Sequence, residues 1–81
     1  PPHQQSPTQA VQAGTLTVIQ LAQFLGVSRA TVWRLHAAEK LPAPIRFGRA
    51  VRWDRWTVEE WLAAGAPSRA EWERMQDAVR A

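Results

Sequence analysis

Twenty residues around Gly26 constrain the fold of this 81-residue chain more than any other stretch. In VIQLAQFLGVSRATVWRLHA, positions 18–37, apolar residues recur at helical spacing on both sides of the glycine. Ala22 is small where a second helix would cross the first, and Gly26 stands at the corner, where a positive φ is usually required. The stretch predicts two short helices that pack across a tight turn through five apolar side chains: Leu21, Leu25, Val27, Val32 and Leu35.

This pair of helices has the pattern of a helix-turn-helix, the motif whose second helix lies in the major groove of DNA. With Val32 and Leu35 turned inward, helical geometry turns the opposite face outward: Arg29, Ala30, Trp33, Arg34 and Ala37. Arginine can span O6 and N7 of guanine, alanine can contact a thymine methyl group, and hydroxyl groups bind phosphate. We therefore predict a recognition helix over 28–39 with six DNA-binding residues: Ser28, Arg29, Ala30, Thr31, Trp33 and Arg34.

Capping patterns predict where the helices begin. Three stretches carry a serine or threonine followed three residues later by glutamate or glutamine, the capping box: Thr17 with Gln20, Thr57 with Glu60, and Ser68 with Glu71. Ser28 is a fourth cap without the box partner. Four helices are expected over 18–25, 28–39, 57–64 and 68–80.

The segment LPAPIRFGRAVRWD, positions 41–54, predicts a β-hairpin. Pro42 and Pro44 exclude a continuing helix, and two alternating runs, 45–47 and 51–53, flank a turn over 48–50. Period-two alternation then divides the side chains between two faces: Ile45, Phe47, Val51 and Trp53 on one, Arg46 and Arg52 on the other.

The hairpin supplies a second set of candidate DNA-binding residues. Arg49 at the tip suits a narrow minor groove, where the negative potential is enhanced, and its neighbours would flank it on the phosphates. The alternative is an edge hairpin whose charges only protect it against aggregation. Beside a helix-turn-helix we favour a DNA-contacting wing over 45–53, with four residues: Arg46, Gly48, Arg49 and Arg52.

Two helices, a hairpin and a further helix form the order of a winged helix. The predicted fold class is mainly α with a small β-hairpin, a winged helix-turn-helix plus a C-terminal helix. We expect a disordered N-terminal tail over 1–14, a winged helix-turn-helix DNA-binding domain over 15–65, and the C-terminal helix within 66–81. The core is expected to hold Phe47, Trp53, Val58, Trp61 and Leu62.

The charge is polarised along the chain. Seven cationic and two anionic side chains give residues 28–55 a net charge of +5, whereas residues 56–81 carry −2 and the first 27 residues no charged side chain. Nine of the ten cations are arginine, the side chain suited to bidentate contact with phosphate and guanine. This distribution favours a nucleic-acid partner.

Other classes of function find no support in the sequence. The chain has no cysteine and two histidines, one of them in the tail, so we expect no metal site and no cofactor. No nucleophile with a base, no glycine-rich phosphate loop and no pair of carboxylates in a cleft is visible, so we expect no enzyme. No apolar run approaches the ~20 residues that cross a bilayer, and no signal-peptide pattern opens the chain.

The last helix carries a narrow apolar stripe of Trp72, Met75 or Gln76, and Val79. The stripe either docks on the domain, which we favour, or contacts a neighbouring protein molecule. In the second case its acidic outer face would meet the basic region of the next subunit. Such head-to-tail contacts are heterologous and would run along DNA as an open chain.

The segments SRATVWRL, LPAP, FGRAVRW and EEWL occur here in the order in which AlpA-like and excisionase-like proteins carry them. Residues 16–62 therefore resemble that family of small winged helices, which is related to the MerR DNA-binding domain. The resemblance implies a bacterial, cytoplasmic, nucleoid-associated protein of phage or mobile-element type. It would act as a transcriptional regulator or as a recombination directionality factor, with a site-specific integrase as a partner. The resemblance implies DNA contacts at these positions: Ser28, Arg29, Ala30, Thr31, Arg34, Arg46, Arg49 and Arg52.

Trp33 leaves two interpretations open. The family usually has tyrosine at this position, and the indole either packs on or hydrogen-bonds to the sugar-phosphate backbone, or folds back over the domain. A different class of function follows if Trp33 and Trp72 are protein-binding anchors: the winged helix would then be a protein-protein interaction module.

Overall fold

The computed structural model describes residues 14–80, so the predicted disordered tail, apart from Gly14, lies outside the described residues. Within residues 14–80, four helices and three short strands follow one another. In order they are β1 (Thr15–Leu16), α1 (Val18–Leu25), α2 (Arg29–Ala37), β2 (Ile45–Phe47), β3 (Ala50–Asp54), α3 (Arg55–Ala63) and α4 (Arg69–Arg80). The predicted fold class, mainly α with a small β-hairpin and a C-terminal helix, is confirmed.

Helix α1 and the corner after it form as the sequence predicts. Thr17 and Gln20 make a reciprocal capping box, which satisfies two of the free backbone amides at the helix start. At the other end Gly26 takes φ 73°, the N–H of Gly26 donates to Gln23, and the N–H of Val27 donates to Ala22. This Schellman arrangement closes the helix and turns the chain sharply into α2.

The sheet has one strand more than the hairpin that was predicted. Strand order is β1-β3-β2, and both pairings are antiparallel. Strand β1 spans two residues, too short for an alternating pattern to show in the sequence, but Leu16 pairs with Trp53 and both side chains are fully buried. The chain preceding α1 is thereby fixed to the strand that leads into α3.

The turn of the hairpin is shorter than predicted. Only Gly48 and Arg49 lie between β2 and β3, and Gly48 takes φ 60°, a left-handed conformation that glycine adopts without strain. The prediction of a three-residue turn over 48–50 is therefore wrong by one residue. Three pairs of residues face each other across the strands: Ile45 with Arg52, Arg46 with Val51, and Phe47 with Ala50.

A change of one residue in the turn changes which side chains share a face of the hairpin. Directly opposed residues point to the same side, so Arg46 shares a face with Val51 and Trp53. The other face carries the remaining side chains: Ile45, Phe47, Ala50 and Arg52. The prediction that both arginines occupy one face and the apolar residues the other is wrong.

The start of α3 also differs from the prediction. The helix is capped by Asp54 and not by Thr57, because an oxygen of the Asp54 carboxylate accepts from both the backbone N–H and the hydroxyl of Thr57, at 2.8 Å each. The predicted helix over 57–64 therefore begins two residues earlier, at Arg55. The capping box before α4 is confirmed, with the backbone N–H of Glu71 donating to the Ser68 hydroxyl and that of Ser68 donating to the Glu71 carboxylate.

One core joins every described helix and strand except β2, whose three residues are exposed. It contains residues of β1, α1, α2, the loop after α2, β3, α3 and α4: Leu16, Leu21, Ala22, Val32, Leu41, Trp53, Val58, Trp61 and Trp72. Two predicted core residues, Phe47 and Leu62, are exposed instead, and so is Val27, which was predicted to pack between the first two helices. Phe47 is 57% exposed because the shorter turn places it on the outer face of the sheet. Leu62 is 40% exposed because it lies on the flank of α3 beside the inward Val58 and Trp61, and Val27 is exposed just after the corner.

Candidate nucleic-acid interface

Helix α2 buries one side and exposes the other. Val32 is fully buried, and Leu35 packs partly buried against the same core. Because these two residues fix the rotation of the helix, the opposite side faces solvent. The exposed side chains are those that helical geometry predicts: Arg29, Ala30, Trp33, Arg34 and Ala37.

Hydroxyl groups order the first turns of α2. The Ser28 hydroxyl caps the helix, accepting from the backbone N–H of Thr31 at 3.1 Å and donating to the Thr31 hydroxyl at 3.0 Å. The Thr31 hydroxyl also accepts from Nη2 of Arg34 at 2.9 Å. Free amides and the positive end of the helix dipole collect at this terminus, which suits a phosphate group. The chain of contacts holds Arg34 along the exposed side of the helix.

An aromatic cluster connects α2 to the wing. The rings of Trp33, His36 and Trp53 meet edge to face, with centroids 5.9 to 6.1 Å apart. Trp53 is fully buried and donates its indole N–H to the Pro42 carbonyl, whereas Trp33 keeps 43% of its surface exposed. One side of Trp33 therefore folds back over the domain, and the other side is exposed; a contact of that exposed side with DNA stays a prediction.

The surroundings of His36 favour its neutral form. Burial of the ring lowers the pKa of His36 below its ordinary 6.5, and the nearby charges of Arg69 and Arg46 lower it further, against Glu39, which raises it. Nη2 of Arg69 donates to Nδ1 of His36 at 3.2 Å. Since arginine can only donate, Nδ1 is the acceptor nitrogen and Nε2 carries the proton.

The wing arginines do not all lie on one side. Arg46 shares its face with Trp53, which contacts α2, and Arg46 is close enough to influence His36. Arg49 is exposed in the two-residue turn beside Gly48. Arg52 lies on the outer face of the sheet, where its Nη1 donates to the Val51 carbonyl at 2.9 Å. The structure therefore brings Arg46 to the side of α2 and separates Arg52 from it.

Sequence reasoning missed one residue beside this surface. Arg69 lies 33 positions after His36, and its guanidinium also donates from Nε to the Leu41 carbonyl at 2.9 Å. No local spacing connects residues that far apart in the chain. Its place in the first turn of an amphipathic helix indicates only a helix start.

Two features are absent from residues 14–80. No group of three or more histidine, cysteine, aspartate or glutamate side chains within them could hold a metal ion. No helix among these same residues is long and apolar enough to cross a membrane.

Comparison with known proteins gives one match. A family model described as a helix-turn-helix domain matches residues 15–66, more than half of the chain. The match covers β1 through α3 and ends before α4. No curated protein and no solved structure matches the chain.

Proposed function

The chain belongs to this helix-turn-helix domain family and is a DNA-binding helix-turn-helix protein, and on that premise we propose that it binds duplex DNA in a sequence-specific manner. In this proposal α2 enters the major groove and the turn of the hairpin approaches the adjacent minor groove. The observation that carries the proposal is the outward side of α2, where Arg29 and Arg34 flank an exposed tryptophan.

The outward side of α2 offers each kind of contact that base readout requires. Arg29 and Arg34 present forked donors for guanine O6 and N7, and each well-formed pair contributes ~1–3 kcal/mol of discrimination. Ala30 permits close approach to a thymine methyl group. Ser28 and Thr31 lie at the helix start, where backbone amides and hydroxyl groups bind phosphate.

The wing extends this surface. Gly48 permits the tight turn that exposes Arg49, and an arginine at such a tip is attracted to a narrow minor groove. Arg46 faces the side of α2 and would neutralise a phosphate between the two grooves. Arg52, on the opposite face of the sheet, is the predicted DNA-binding residue with the weakest geometric support.

The biological setting that we propose follows from the resemblance to AlpA-like and excisionase-like proteins. The chain would act in the bacterial cytoplasm, on the nucleoid, as a regulator of transcription or as a recombination directionality factor that assists an integrase. Adjacent copies would associate head to tail on DNA. Footprinting on an attachment site and on nearby promoters separates the two roles, since only a directionality factor must occupy and bend the attachment site.

The alternative function, a protein-protein interaction module, has less support. It requires Trp33 and Trp72 as exposed anchors, but Trp72 is 6% exposed and belongs to the core. An interaction hot spot must be accessible to its partner. Trp33 alone would then remain of the proposed pair.

Charge reversal on α2 tests the proposed function. The double variant Arg29→Glu, Arg34→Glu should bind a duplex at least about a hundredfold more weakly, because two base contacts are lost and like charges meet the phosphates. Fluorescence anisotropy measures the affinity on a duplex that the unaltered protein selects from a randomised pool. The matched control reverses two exposed arginines of α4, Arg74→Glu and Arg80→Glu. Equal affinities of the two double variants would contradict a recognition role for α2.

A further inference from the structure

The end of the recognition helix is tied to α4 at three points, all made by one residue. The backbone N–H of Arg69 donates to the Glu39 carbonyl at 3.0 Å, and Nε donates to the Leu41 carbonyl at 2.9 Å. Nη2 donates to Nδ1 of His36 at 3.2 Å. The three acceptors lie in the last turn of α2 and in the segment that follows it.

Other contacts fix Arg69 itself in place. Trp72, one turn further along α4, is buried in the core, and the indole N–H of Trp61 donates to the Pro67 carbonyl at 2.8 Å. A guanidinium is planar and presents its donors in a fixed fork, so it can hold two acceptors at a defined angle. The cation also lies where the negative end of the α2 dipole collects. Arg69 therefore acts as a rigid clamp on the end of α2.

The clamp acts at the end of α2 that the helix-turn-helix corner does not hold. The corner at Gly26 and the cap at Ser28 fix the first turn, whereas His36 and the residues after it fix the last. The ring of His36 also packs against Trp33 on the exposed side of the helix. Base readout requires side chains within roughly 0.5 Å of the productive geometry, so a small rotation of α2 would misplace its arginines.

We infer that Arg69 is a positioning residue for DNA sequence readout: through His36 and Leu41 it sets the angle at which α2 meets the major groove. The inference rests on the proposed function and extends it beyond residues 15–66, the part that the family model matches. Helix α4 is then part of the DNA-binding unit, although it contributes no base contact of its own.

The first test compares Arg69→Ala with a matched control, Arg74→Ala, which removes an exposed cation from the same helix. We expect Arg69→Ala to bind the selected duplex roughly threefold to thirtyfold more weakly, the range of mutations that act without touching the ligand. Its affinity for an unselected duplex and its salt dependence should match those of the control. Unchanged affinity for the selected duplex would overturn the inference.

A direct phosphate contact by Arg69 would give a different result. Both duplexes would then be bound more weakly, and the slope of log K against log salt would become less negative by about 0.9. That outcome also overturns the positioning role.

Unfolding in urea, followed by tryptophan fluorescence, shows whether each variant is folded under the assay conditions. If Arg69→Ala is not folded, Arg69→Lys replaces it in the comparison, because lysine keeps the charge but lacks the planar fork of donors. Binding of the selected duplex by Arg69→Lys at full affinity would then refute the clamp.

The pH dependence separates positioning from a merely structural role. Protonated His36 has no acceptor at Nδ1, so one of the three hydrogen bonds of the clamp is lost as the pH falls through the His36 pKa, which lies below 6.5. Arg69 of α4, Arg46 of β2 and Glu39 at the end of α2 are the charged groups that face the ring. The ratio of the two dissociation constants, Arg69→Ala to unaltered protein, should fall toward one at low pH. A ratio that does not change with pH would contradict the role of His36.

Failure of the inference and failure of the proposed function give separate results. If the unaltered protein enriches no sequence from the randomised pool, the proposed function itself is wrong. If it enriches one and Arg69→Ala binds that duplex as the Arg74→Ala control does, only the positioning role is wrong.

Discussion

Three helices of the chain end in the same backbone arrangement, but one of them does so with an unfavourable residue. The left-handed position after α1 is Gly26 and the one after α3 is Gly65, with φ 73° and 95°. The equivalent position after α2 is Glu39, at φ 57°, where the N–H of Glu39 donates to His36 and that of Lys40 donates to Leu35. A β-carbon in this conformation costs roughly 1–2 kcal/mol. The acceptor that holds α4 is thus on a strained residue.

Glycine at this position should relieve the strain. We expect Glu39→Gly to raise the free energy of unfolding by about 1 kcal/mol, the relief of strain less the greater freedom of glycine in the unfolded chain. The control is Ala38→Gly, where φ is −85° and glycine should lower stability by roughly 0.5–1 kcal/mol. Urea denaturation measures both. A Glu39→Gly protein less stable than the unaltered one would show that the strain is absent.

Single residues also show how far local patterns determine the helix ends. Thr17 with Gln20 and Ser68 with Glu71 are capping boxes in both sequence and structure. The third pattern failed because a second cap, Asp54, stands three residues before Thr57 and its carboxylate accepts two hydrogen bonds. A local pattern identifies possible caps, but when two of them stand three residues apart, as Asp54 and Thr57 do, it does not show which one begins the helix.

At the scale of elements, the two-residue turn of the hairpin decides which arginine belongs to the proposed DNA-binding surface. The sequence around Gly48 is compatible with turns of two or three residues, and each places Arg46 and Arg52 differently with respect to α2. The expected burial of Trp53 does not decide between the two turn lengths, since Trp53 faces the core with either turn. The helix-turn-helix was predictable because its constraints are local, whereas the register of the hairpin depended on one residue.

The wing register predicts unequal effects of two similar substitutions. Arg46→Ala should weaken binding of the selected duplex by roughly fivefold to tenfold, a loss typical of a phosphate contact beside a groove. Arg52→Ala should change it less than twofold, because that side chain lies on the opposite face of the sheet. Anisotropy titrations at one salt concentration measure both affinities. A larger effect of Arg52→Ala would indicate that the outer face of the sheet meets DNA.

At the scale of the whole molecule, one core and one charge asymmetry organise the chain. Trp72 brings α4 into the core with residues of the helix-turn-helix and the sheet, whereas five of the seven cationic side chains of residues 28–55 are exposed. The sequence offered docking on the domain as one of two interpretations of α4, because an apolar stripe shows that a helix packs against something but does not identify what it packs against. The clamp of Arg69 on α2 could not be predicted from the sequence, since it joins positions that only the folded chain brings together.

The salt dependence of DNA binding measures how many cations of the proposed DNA-binding surface act together. Four arginines lie on α2 and on the part of the wing beside it: Arg29, Arg34, Arg46 and Arg49. If each arginine displaces the counterion of one phosphate, whether it contacts that phosphate or a base beside it, log K should fall against log salt with a slope of about −3.6. The control is Arg52→Ala, which should leave the slope unchanged. A nearly flat dependence would mean that this basic surface does not meet the DNA backbone.

The most direct measurement is chemical protection of a selected duplex by dimethyl sulfate, which methylates guanine N7 in the major groove and adenine N3 in the minor groove. We expect the bound protein to protect guanine N7 at one patch, because arginines of α2 occupy that position. Adenines in the minor groove beside the patch should be protected by the wing. The Arg29→Ala, Arg34→Ala variant should lose the guanine protection and keep that of the adenines. A fully bound duplex with every guanine N7 still reactive would show that α2 does not lie in the major groove.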